Sequence, residues 1–166
     1  MQYIQYYESP IGRLFMTGNP TSLTGLWFEN QKHNAAALPE EYKEKSLVVF
    51  DETTKWLDIY FNGQIPDFTP PLSMDEATTF RKMVWDILLT IPYGQTTTYG
   101  KIASQIAAKK GIARMSAQAV GQAVGHNPIS IIVPCHRVIG TNGSLTGYAG
   151  GIDIKIKLLT LEKQSV

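Results

Sequence analysis

The chain has 166 residues, of which 43% are hydrophobic and 17% are charged, and its formal net charge is +1. This composition predicts an ordinary globular protein, and it excludes a membrane span, which would need a run of roughly 18 apolar residues. The first residues also lack the basic start and apolar stretch of a secretory signal. The single cysteine excludes an internal disulfide and a multi-cysteine metal site, and it predicts a reducing, cytoplasmic setting.

Acidic and basic residues are distributed unequally along the chain. Residues 1–76 carry 5 Lys/Arg and 11 Asp/Glu, whereas residues 77–166 carry 10 Lys/Arg and 3 Asp/Glu. No acidic residue occurs from Ile87 to Ile152. The second part is therefore expected to meet a polyanion such as a nucleic acid, although two surfaces of opposite charge that attract each other would leave the same pattern.

The first part of the chain has the pattern of strands followed by a helix. Three antiparallel strands are predicted, at Tyr3–Tyr7, Leu14–Met16 and Leu23–Phe28. The turn residues Ser9–Gly12 separate the first two strands. Apolar residues at helical intervals then predict a helix over Val48–Phe61.

Proline and charge mark the same division of the chain. Three prolines stiffen the segment that follows the predicted helix, at positions 66, 70 and 71. The charge balance changes sign just after them. We therefore expect two domains, an N-terminal α/β domain over residues 1–72 and a second domain over residues 73–166.

The second part has the pattern of a mostly helical domain. Four helices are predicted. The first is capped by Ser73 or Asp75 and runs to about Thr90, and the second is capped by Thr97 or Thr98 and includes Ile102 and Ile106. The third is capped by Ser116 and runs from Ala117 to about Val124, and the fourth runs from Asp153 to Glu162. The turn Lys109–Gly111 joins the second and third, which is typical of a helix-turn-helix, although many helical hairpins only pack a core. An extended apolar run, Ile129–Val133, follows.

The second helix of this pair consists mainly of small residues, from Ser116 to Ala123. Small side chains let a backbone come close to another helix or to a nucleic-acid groove. Few of them are long enough to reach base edges, so contact through shape and phosphates, with little sequence specificity, is the expectation.

The residues next to Cys135 favour its use as a nucleophile. By base rate, a lone intracellular cysteine is more often a small buried hydrophobe than a nucleophile. Here His136 and Arg137 follow it directly, and both favour a thiolate. His136 is a candidate general base, and a carboxylate that orients its other ring nitrogen would complete a relay. The carboxylates available nearby are Asp153 and Glu162.

Three segments, Gly125–Pro128, Pro134–Gly140 and Gly147–Gly151, resemble the O6-alkylguanine-DNA alkyltransferases, the methylated-DNA–protein-cysteine methyltransferase family. The Pro-Cys-His-Arg-Val block is highly specific when Asn-Pro stands just ahead of it. By motif the resemblance runs from about Phe80 to Glu162, and before that only length and strand pattern agree. It implies an α+β fold: a small N-terminal RNase-H-like antiparallel sheet with a helix, then a mostly helical C-terminal domain that contains the helix-turn-helix.

The function that the resemblance implies is direct-reversal DNA repair by a suicide enzyme. The alkyl group of O6-alkylguanine would move to Cys135, irreversibly and once per molecule, after the base has flipped out of the duplex. O4-alkylthymine stays open as a second substrate. The implied partner is double-stranded DNA, bound in the minor groove by a monomer, with no cofactor and no metal.

The resemblance assigns roles residue by residue. In the reaction, Cys135 is the acceptor, His136 is the base that acts through a bound water, Glu162 orients that base, Asn127 holds the active-site turn, and Tyr99 lies near the guanine and the flipped-out phosphate. The substrate pocket is lined by Val138, Tyr148, Ala149 and Gly150. The residues expected to bind DNA are Thr98, Lys101, Arg114, Ala117, Gln118 and Gly121. Arg137 is expected to stabilise the structure rather than to touch substrate.

One position departs from the pattern of the family. Better-known members carry an arginine on the second helix, 17 residues before the cysteine, where this chain has Gln118. Either Gln118 fills the gap left by the flipped base, or Arg114 reaches in from outside the helix, and we favour Gln118. Ala149 also replaces a pocket serine, so hydrogen bonds to O6 there are expected from backbone N–H groups.

Two other classes of function stay open. A non-enzymatic module could recognise alkylated guanine without repairing it, but the presence of Cys135 argues against that reading. A cysteine hydrolase is disfavoured because adjacent Cys and His side chains seldom point at each other. His33 and His126 have no ligand partners at standard spacing, so no metal site is expected.

Overall fold

The structure is a computed structural model that describes residues 2–29, 42–74, 77–145, 148 and 150–164. Its strands are β1 (Gln2–Ser9), β2 (Gly12–Asn19), β3 (Ser22–Phe28), β4 (Tyr42–Glu44), β5 (Thr97–Thr98) and β6 (Val138–Ile139). Its helices are α1 (Val48–Phe61), α2 (Thr79–Leu88), α3 (Tyr99–Lys110), α4 (Ala117–Gly125) and α5 (Ile152–Gln164), with a single 3₁₀ turn over Cys135–Arg137. Within these described ranges, no helix combines the length and the apolar character that crossing a membrane requires.

The N-terminal strands form one sheet in the order β3-β2-β1-β4. The pairs β1–β2 and β2–β3 are antiparallel, as the sequence predicts, and β4 adds a parallel neighbour to β1. β4 is not predicted from the sequence, because its three residues are all exposed and carry no alternating apolar signal. The predicted bounds of α1 agree with those of the structure.

The two parts of the chain share one apolar core. Buried side chains of the sheet and of α1, such as Leu26 and Phe50, belong to the same contact cluster as Trp85 of α2 and Ile106 of α3. The indole Nε1 of Trp85 donates to the carbonyl of Ala123 at 3.0 Å, which ties α4 to α2. The helices that carry the candidate DNA-binding residues therefore stand on a rigid support.

Two segments bond to the outer edge of β3, one at the division between the two parts of the chain and one before the cysteine. The backbone of Leu23 accepts a hydrogen bond from Ser73 and donates one to Pro71. Leu26 does the same with the segment that leads to the cysteine: its N–H donates to Pro128 at 2.9 Å, and its carbonyl accepts from Ser130 at 2.8 Å. The sheet edge is thus bonded directly to the loop that carries Cys135.

Helix α2 begins later than predicted. Its N-cap is Thr78, whose side chain accepts a hydrogen bond from the N–H of Arg81, and the helix ends at Leu88. The expectation that Ser73 caps it is wrong, because the backbone of Ser73 is bonded to β3 instead. Asp75, the alternative cap, lies outside the described residues.

The helix-turn-helix caps are as predicted. Thr98 caps α3 by accepting from the N–H of Lys101, and Ser116 caps α4 by accepting from the N–H of Ala119. Gly111 ends α3 with a φ of 67°, a left-handed conformation that glycine adopts without a steric penalty. The last helix, α5, extends slightly beyond the predicted range at both ends.

Candidate active site

The segment before Cys135 is a closed turn, and the predicted extended run at Ile129–Val133 is wrong. The side-chain amide of Asn127 bends the chain there. Its Nδ2 donates to the carbonyls of Ile129 at 3.1 Å and Val133 at 2.8 Å, and its Oδ1 accepts from the N–H of Ile129 at 3.0 Å. Three hydrogen bonds to one buried side chain thus fold the turn that presents the cysteine.

Ile131 at the tip of this turn has a φ of 68°, a conformation that β-branched residues rarely adopt. Such a conformation costs on the order of 1 to 3 kcal/mol and persists only where the surroundings enforce it. The Ile131 side chain is fully buried, and the bonds of Asn127 and Leu26 hold the backbone on both sides of it. The turn is therefore a strained but well-anchored support.

Cys135 opens the 3₁₀ turn and is buried, with 7% of its surface exposed. Burial raises the pKa of the Cys135 thiol above its ordinary value. A hydrogen bond from Asn127, the charge of Lys155 and backbone N–H groups act in the opposite direction, without reversing the shift. Because the thiol stays protonated at neutral pH, its use as a nucleophile requires a base close by.

His136 has the protonation state that such a base requires. The imidazole is fully buried, and its Nε2 lies 2.5 Å from Oε2 of Glu162. Because an ionised carboxylate only accepts hydrogen bonds, we assign the ring proton to Nε2, which leaves the lone pair on Nδ1. Nδ1 has no hydrogen-bond partner among the residues that the structure describes. Burial lowers the pKa of His136, against the effect of Glu162, so the neutral ring is favoured.

Glu162 receives two hydrogen bonds on each carboxylate oxygen. Oε2 accepts from His136 and from the hydroxyl of Tyr60 at 2.7 Å, and Oε1 accepts from Nε of Arg137 at 2.8 Å and from the N–H of Gly94 at 3.1 Å. Burial alone would raise the pKa of Glu162, but the hydrogen bonds and charges of His136 and Arg137 outweigh it and lower the pKa to about 2. The carboxylate is therefore ionised at any physiological pH.

The structure decides between the two carboxylates that the sequence left open. Glu162 bonds to His136, whereas Asp153 is exposed in the first turn of α5. Arg137 links Glu162 to the carbonyl of Ile91, to which its Nη1 donates at 2.7 Å. The arginine side chain is thus engaged with the protein itself.

Lys155 is a site residue that the sequence analysis missed. Its side chain is fully buried, and Nζ donates to the carbonyl of Val138 at 2.6 Å. Burial lowers the pKa of Lys155, and the nearby Cys135 acts in the opposite direction. A signal existed in the sequence, because Lys155 shares one helical face with Leu158 and Glu162, both buried.

Two tyrosines predicted for the site, Tyr99 and Tyr148, lie near the cysteine. Burial, followed by the charge of Cys135, raises the pKa of both Tyr99 and Tyr148, so both phenols lie within electrostatic range of the sulfur. Val138 is buried in β6, beside Thr97 of β5.

Gly150 has no room for a side chain. A Cβ there would lie 2.7 Å from the ring of Tyr148 and 3.3 Å from that of Phe28. Phe28 therefore brings the end of β3 up against this loop. Ala149, also predicted for the pocket, lies outside the described residues.

Most of the residues predicted to bind DNA are exposed. Exposed positions are Lys101 on α3, Arg114 in the turn, and Ala117 and Gln118 on α4. A Cβ added at Gly121 would lie 3.8 Å from the Tyr99 ring, in ordinary contact, so α4 adjoins Tyr99. Thr98 is half-buried and uses its hydroxyl as the cap of α3. Within the described ranges, no three His, Cys, Asp or Glu side chains are grouped to hold a metal ion.

Comparison with known families covers both parts of the chain. The ribonuclease-like domain of 6-O-methylguanine DNA methyltransferase matches residues 2–74, and the DNA binding domain of the same enzyme matches residues 79–164. The chain belongs to the 6-O-methylguanine DNA methyltransferase family. It is thus a methylated-DNA–protein-cysteine methyltransferase by class, with DNA repair by methyl transfer as its function. The family resemblance and the α+β fold expected from the sequence are confirmed.

Relatives within the family are similar over nearly the whole chain. The methylated-DNA–protein-cysteine methyltransferase of Mycobacterium tuberculosis is 44% identical over 163 residues, which are 98% of this chain and 93% of the relative. That of Methanosarcina acetivorans is 44% identical over 160 residues, 96% and 97% of the two chains. The crystal structure of M. tuberculosis OGT in complex with DNA superimposes with a TM-score of 0.86 at 43% identity, over 99% and 94% of the two chains.

Proposed function

We propose that this methyltransferase moves the alkyl group of O6-alkylguanine in double-stranded DNA to Sγ of Cys135, once per protein molecule. The observation that carries the proposal is the buried series Cys135, His136 and Glu162, in which His136 keeps a lone pair on Nδ1. The family match supplies the methyl-transfer class, and this series supplies the residues that would perform it.

The proton and electron movements balance without a co-reactant. Nδ1 of His136 takes the thiol proton through a bound water, and Glu162 stabilises the imidazolium that forms. The Cys135 thiolate then attacks the alkyl carbon in line with the carbon–oxygen bond, so that an S–C bond forms as the O–C bond breaks. The electron pair leaves with the guanine, and a hydrogen bond from the Tyr99 hydroxyl stabilises the charge that develops on the base. The guanine anion then takes up one proton from water, and the His136 imidazolium releases one proton to water, so that guanine and neutral His136 are restored.

Single turnover follows from the product. The thioether at Cys135 has no leaving group comparable to guanine, and no part of the proposed mechanism removes the alkyl group. A free cysteine acceptor also has to stay reduced, so we place the protein in the cytoplasm. The proposed reaction uses neither a cofactor nor a metal.

The burial of Cys135 supports base flipping. A guanine stacked in a duplex cannot reach a sulfur that is 7% exposed, so the base has to rotate out, at a cost of a few kcal/mol. The small exposed residues at the start of α4 suit close contact with the minor groove, where Gln118 would fill the gap in the stack. The similarity to the M. tuberculosis protein that was crystallised with DNA supports DNA as the partner. A monomer suffices, because one chain carries every group in the scheme.

Mass spectrometry of the intact protein and its peptides tests the proposal. With an excess of duplex containing O6-methylguanine, one methyl group should be added per protein, on the peptide that contains Cys135, and the amount of repaired base should equal the amount of protein. Cys135→Ala should still bind the duplex and should transfer nothing. An unchanged mass with binding would instead indicate a recognition module, and continuous release of methanol a hydrolase. The same experiment with a duplex that contains O4-methylthymine decides whether O4-alkylthymine is a second substrate.

A further inference from the structure

Tyr60 connects the N-terminal part of the chain to the carboxylate that orients the candidate base. It lies on α1, and its hydroxyl donates to Oε2 of Glu162 at 2.7 Å, across 102 positions of sequence. The side chain is fully buried. Its ring stacks on Trp56 at 5.4 Å and meets Phe61 and Tyr93 edge-on at 5.2 Å and 5.9 Å. The hydroxyl is therefore held in place by packing on three sides.

We propose that Tyr60 is a positioning residue for alkyl transfer, through which α1 sets the charge and orientation of Glu162 toward His136. This inference rests on the function proposed above, in which His136 deprotonates Cys135. It assigns the N-terminal part a role in the reaction that neither the sequence analysis nor the family match gives it.

The position of the hydrogen bond supports a role beyond folding. Arg137 and Gly94 already hold Oε1 of Glu162, so the carboxylate is anchored without Tyr60. Tyr60 donates to the other oxygen, the one that His136 also uses. Two donors on one oxygen share its negative charge, so each weakens the pull of that oxygen on the other.

The direction of the effect follows from that sharing. Burial, reinforced by Glu162, raises the pKa of the Tyr60 hydroxyl, so the hydroxyl stays protonated and acts only as a donor toward the carboxylate. A carboxylate with part of its charge neutralised attracts the Nε2 proton less strongly and stabilises imidazolium less. Tyr60 therefore helps to keep His136 neutral near pH 7, with the Nδ1 lone pair free to take the proton of Cys135.

A matched pair of hydroxyl deletions tests the proposal. Tyr60→Phe removes the donor and keeps the stacked ring. Tyr93→Phe is the control, because Tyr93 belongs to the same aromatic cluster and its buried hydroxyl has no hydrogen-bond partner among the described residues. Single-turnover transfer from an O6-methylguanine duplex is measured with the full chain as a function of pH. Titration of the ¹⁵N-labelled His136 ring in the free protein is followed by NMR.

In Tyr60→Phe, the pKa of His136 should rise by roughly 0.5 to 1 unit, the equivalent of one hydrogen bond. The acid limb of the pH–rate profile should shift to higher pH by the same amount. Transfer near that limb should slow about threefold to tenfold. Tyr93→Phe should leave both unchanged. Site-specific 3-fluorotyrosine at position 60, a more acidic phenol and a stronger donor, should move the limb to lower pH, and this variant stays informative if Tyr60→Phe folds poorly.

Coincident profiles for wild type and Tyr60→Phe, or equal shifts in the two Phe variants, would overturn the proposal. So would a loss of thermal stability in Tyr60→Phe without a change in the titration of His136. Failure of the proposed function would look different: the wild type would accept no methyl group, while the NMR titration would still report whether Tyr60 controls His136.

Discussion

Lys155 donates from Nζ to the carbonyl oxygen of Val138, and this buried contact places a cation within electrostatic range of Cys135. A buried ammonium group is costly unless it is paired or hydrogen-bonded. Its charge lowers the pKa of the Cys135 thiol, against the larger effect of burial. The side chain thus fixes the backbone of β6 and favours the thiolate at the same time.

Replacing Lys155 by methionine should make Cys135 less reactive. Lys155→Met keeps a long flexible side chain but removes the charge, so the pKa of Cys135 should rise, and alkylation by iodoacetamide at pH 7 should slow about tenfold, the effect of one pKa unit. Lys157→Met, at an exposed position of the same helix, is the control and should react like the wild type. Equal reactivity in both variants would contradict an electrostatic role for Lys155.

Asn127→Ala should damage both stability and transfer. It leaves the carbonyls of Ile129 and Val133 without their side-chain donor, at an expected loss of about 2 to 3 kcal/mol in the free energy of unfolding. The strained turn at Ile131 should then relax, and methyl transfer should fall by at least tenfold. Urea denaturation and single-turnover rates measure the two effects.

Asn19 offers a matched control for that substitution. Its Oδ1 accepts from the N–H groups of Thr21 and Ser22 in the hairpin between β2 and β3, far along the chain from the cysteine. Asn19→Ala should lower stability by less, because its turn is more exposed, and should leave the transfer rate unchanged. A loss of transfer as large as that of Asn127→Ala would indicate a general effect of stability.

Glu162→Gln should change how stability depends on pH. The pKa of Glu162 is lowered in the folded protein, to about 2, so its ionised form contributes stability above the ordinary value of 4.5, and that contribution is lost as pH falls toward 2. At neutral pH the free energy of unfolding of the wild type should exceed that of Glu162→Gln by on the order of 3 kcal/mol. Urea denaturation at a series of pH values should show this difference shrinking below about pH 5. A difference that is constant with pH would contradict the ionised state of Glu162.

Gln118 and Arg114 should respond differently to alanine substitution. If Gln118 fills the gap left by the flipped base, Gln118→Ala should slow transfer from duplex DNA and leave transfer from the free base O6-methylguanine unchanged. Arg114→Ala should weaken binding to all duplexes alike and reduce the salt dependence of binding by about one phosphate contact. Affinity titrations at several salt concentrations separate the two. The reverse pattern would make Arg114 the residue that enters the stack.

Local patterns sufficed for much of the fold. The bounds of α1 and the cap Ser116 follow from hydrophobic period and capping chemistry, which operate over a few residues, and the same chemistry narrowed the cap of α3 to Thr97 or Thr98. The turn at Ile129–Val133 did not follow, because a run of five residues with four apolar side chains resembles a strand, and its sequence does not show that the side chain of Asn127 binds the carbonyls at its two ends.

The candidate site divides in the same way. Cys135 and His136 stand inside a contiguous motif, and the resemblance of that motif to the family assigned Glu162, whereas the residues alone left Asp153 open as well. Tyr60 was not found, since a hydrogen bond between residues 102 positions apart leaves no periodic trace in a sequence. Lys155 was overlooked because a lysine on an amphipathic helix is usually exposed.

The hydrogen bonds between Leu26 and the turn before Cys135 also have a consequence for solubility. An uncovered strand edge is a template on which other chains can pair and aggregate. Here the turn covers part of the β3 edge, so any substitution that loosens the turn also exposes backbone donors and acceptors of β3. Self-association of the protein should therefore accompany loss of its repair activity. Light scattering would detect a disrupted turn as readily as an assay of methyl transfer.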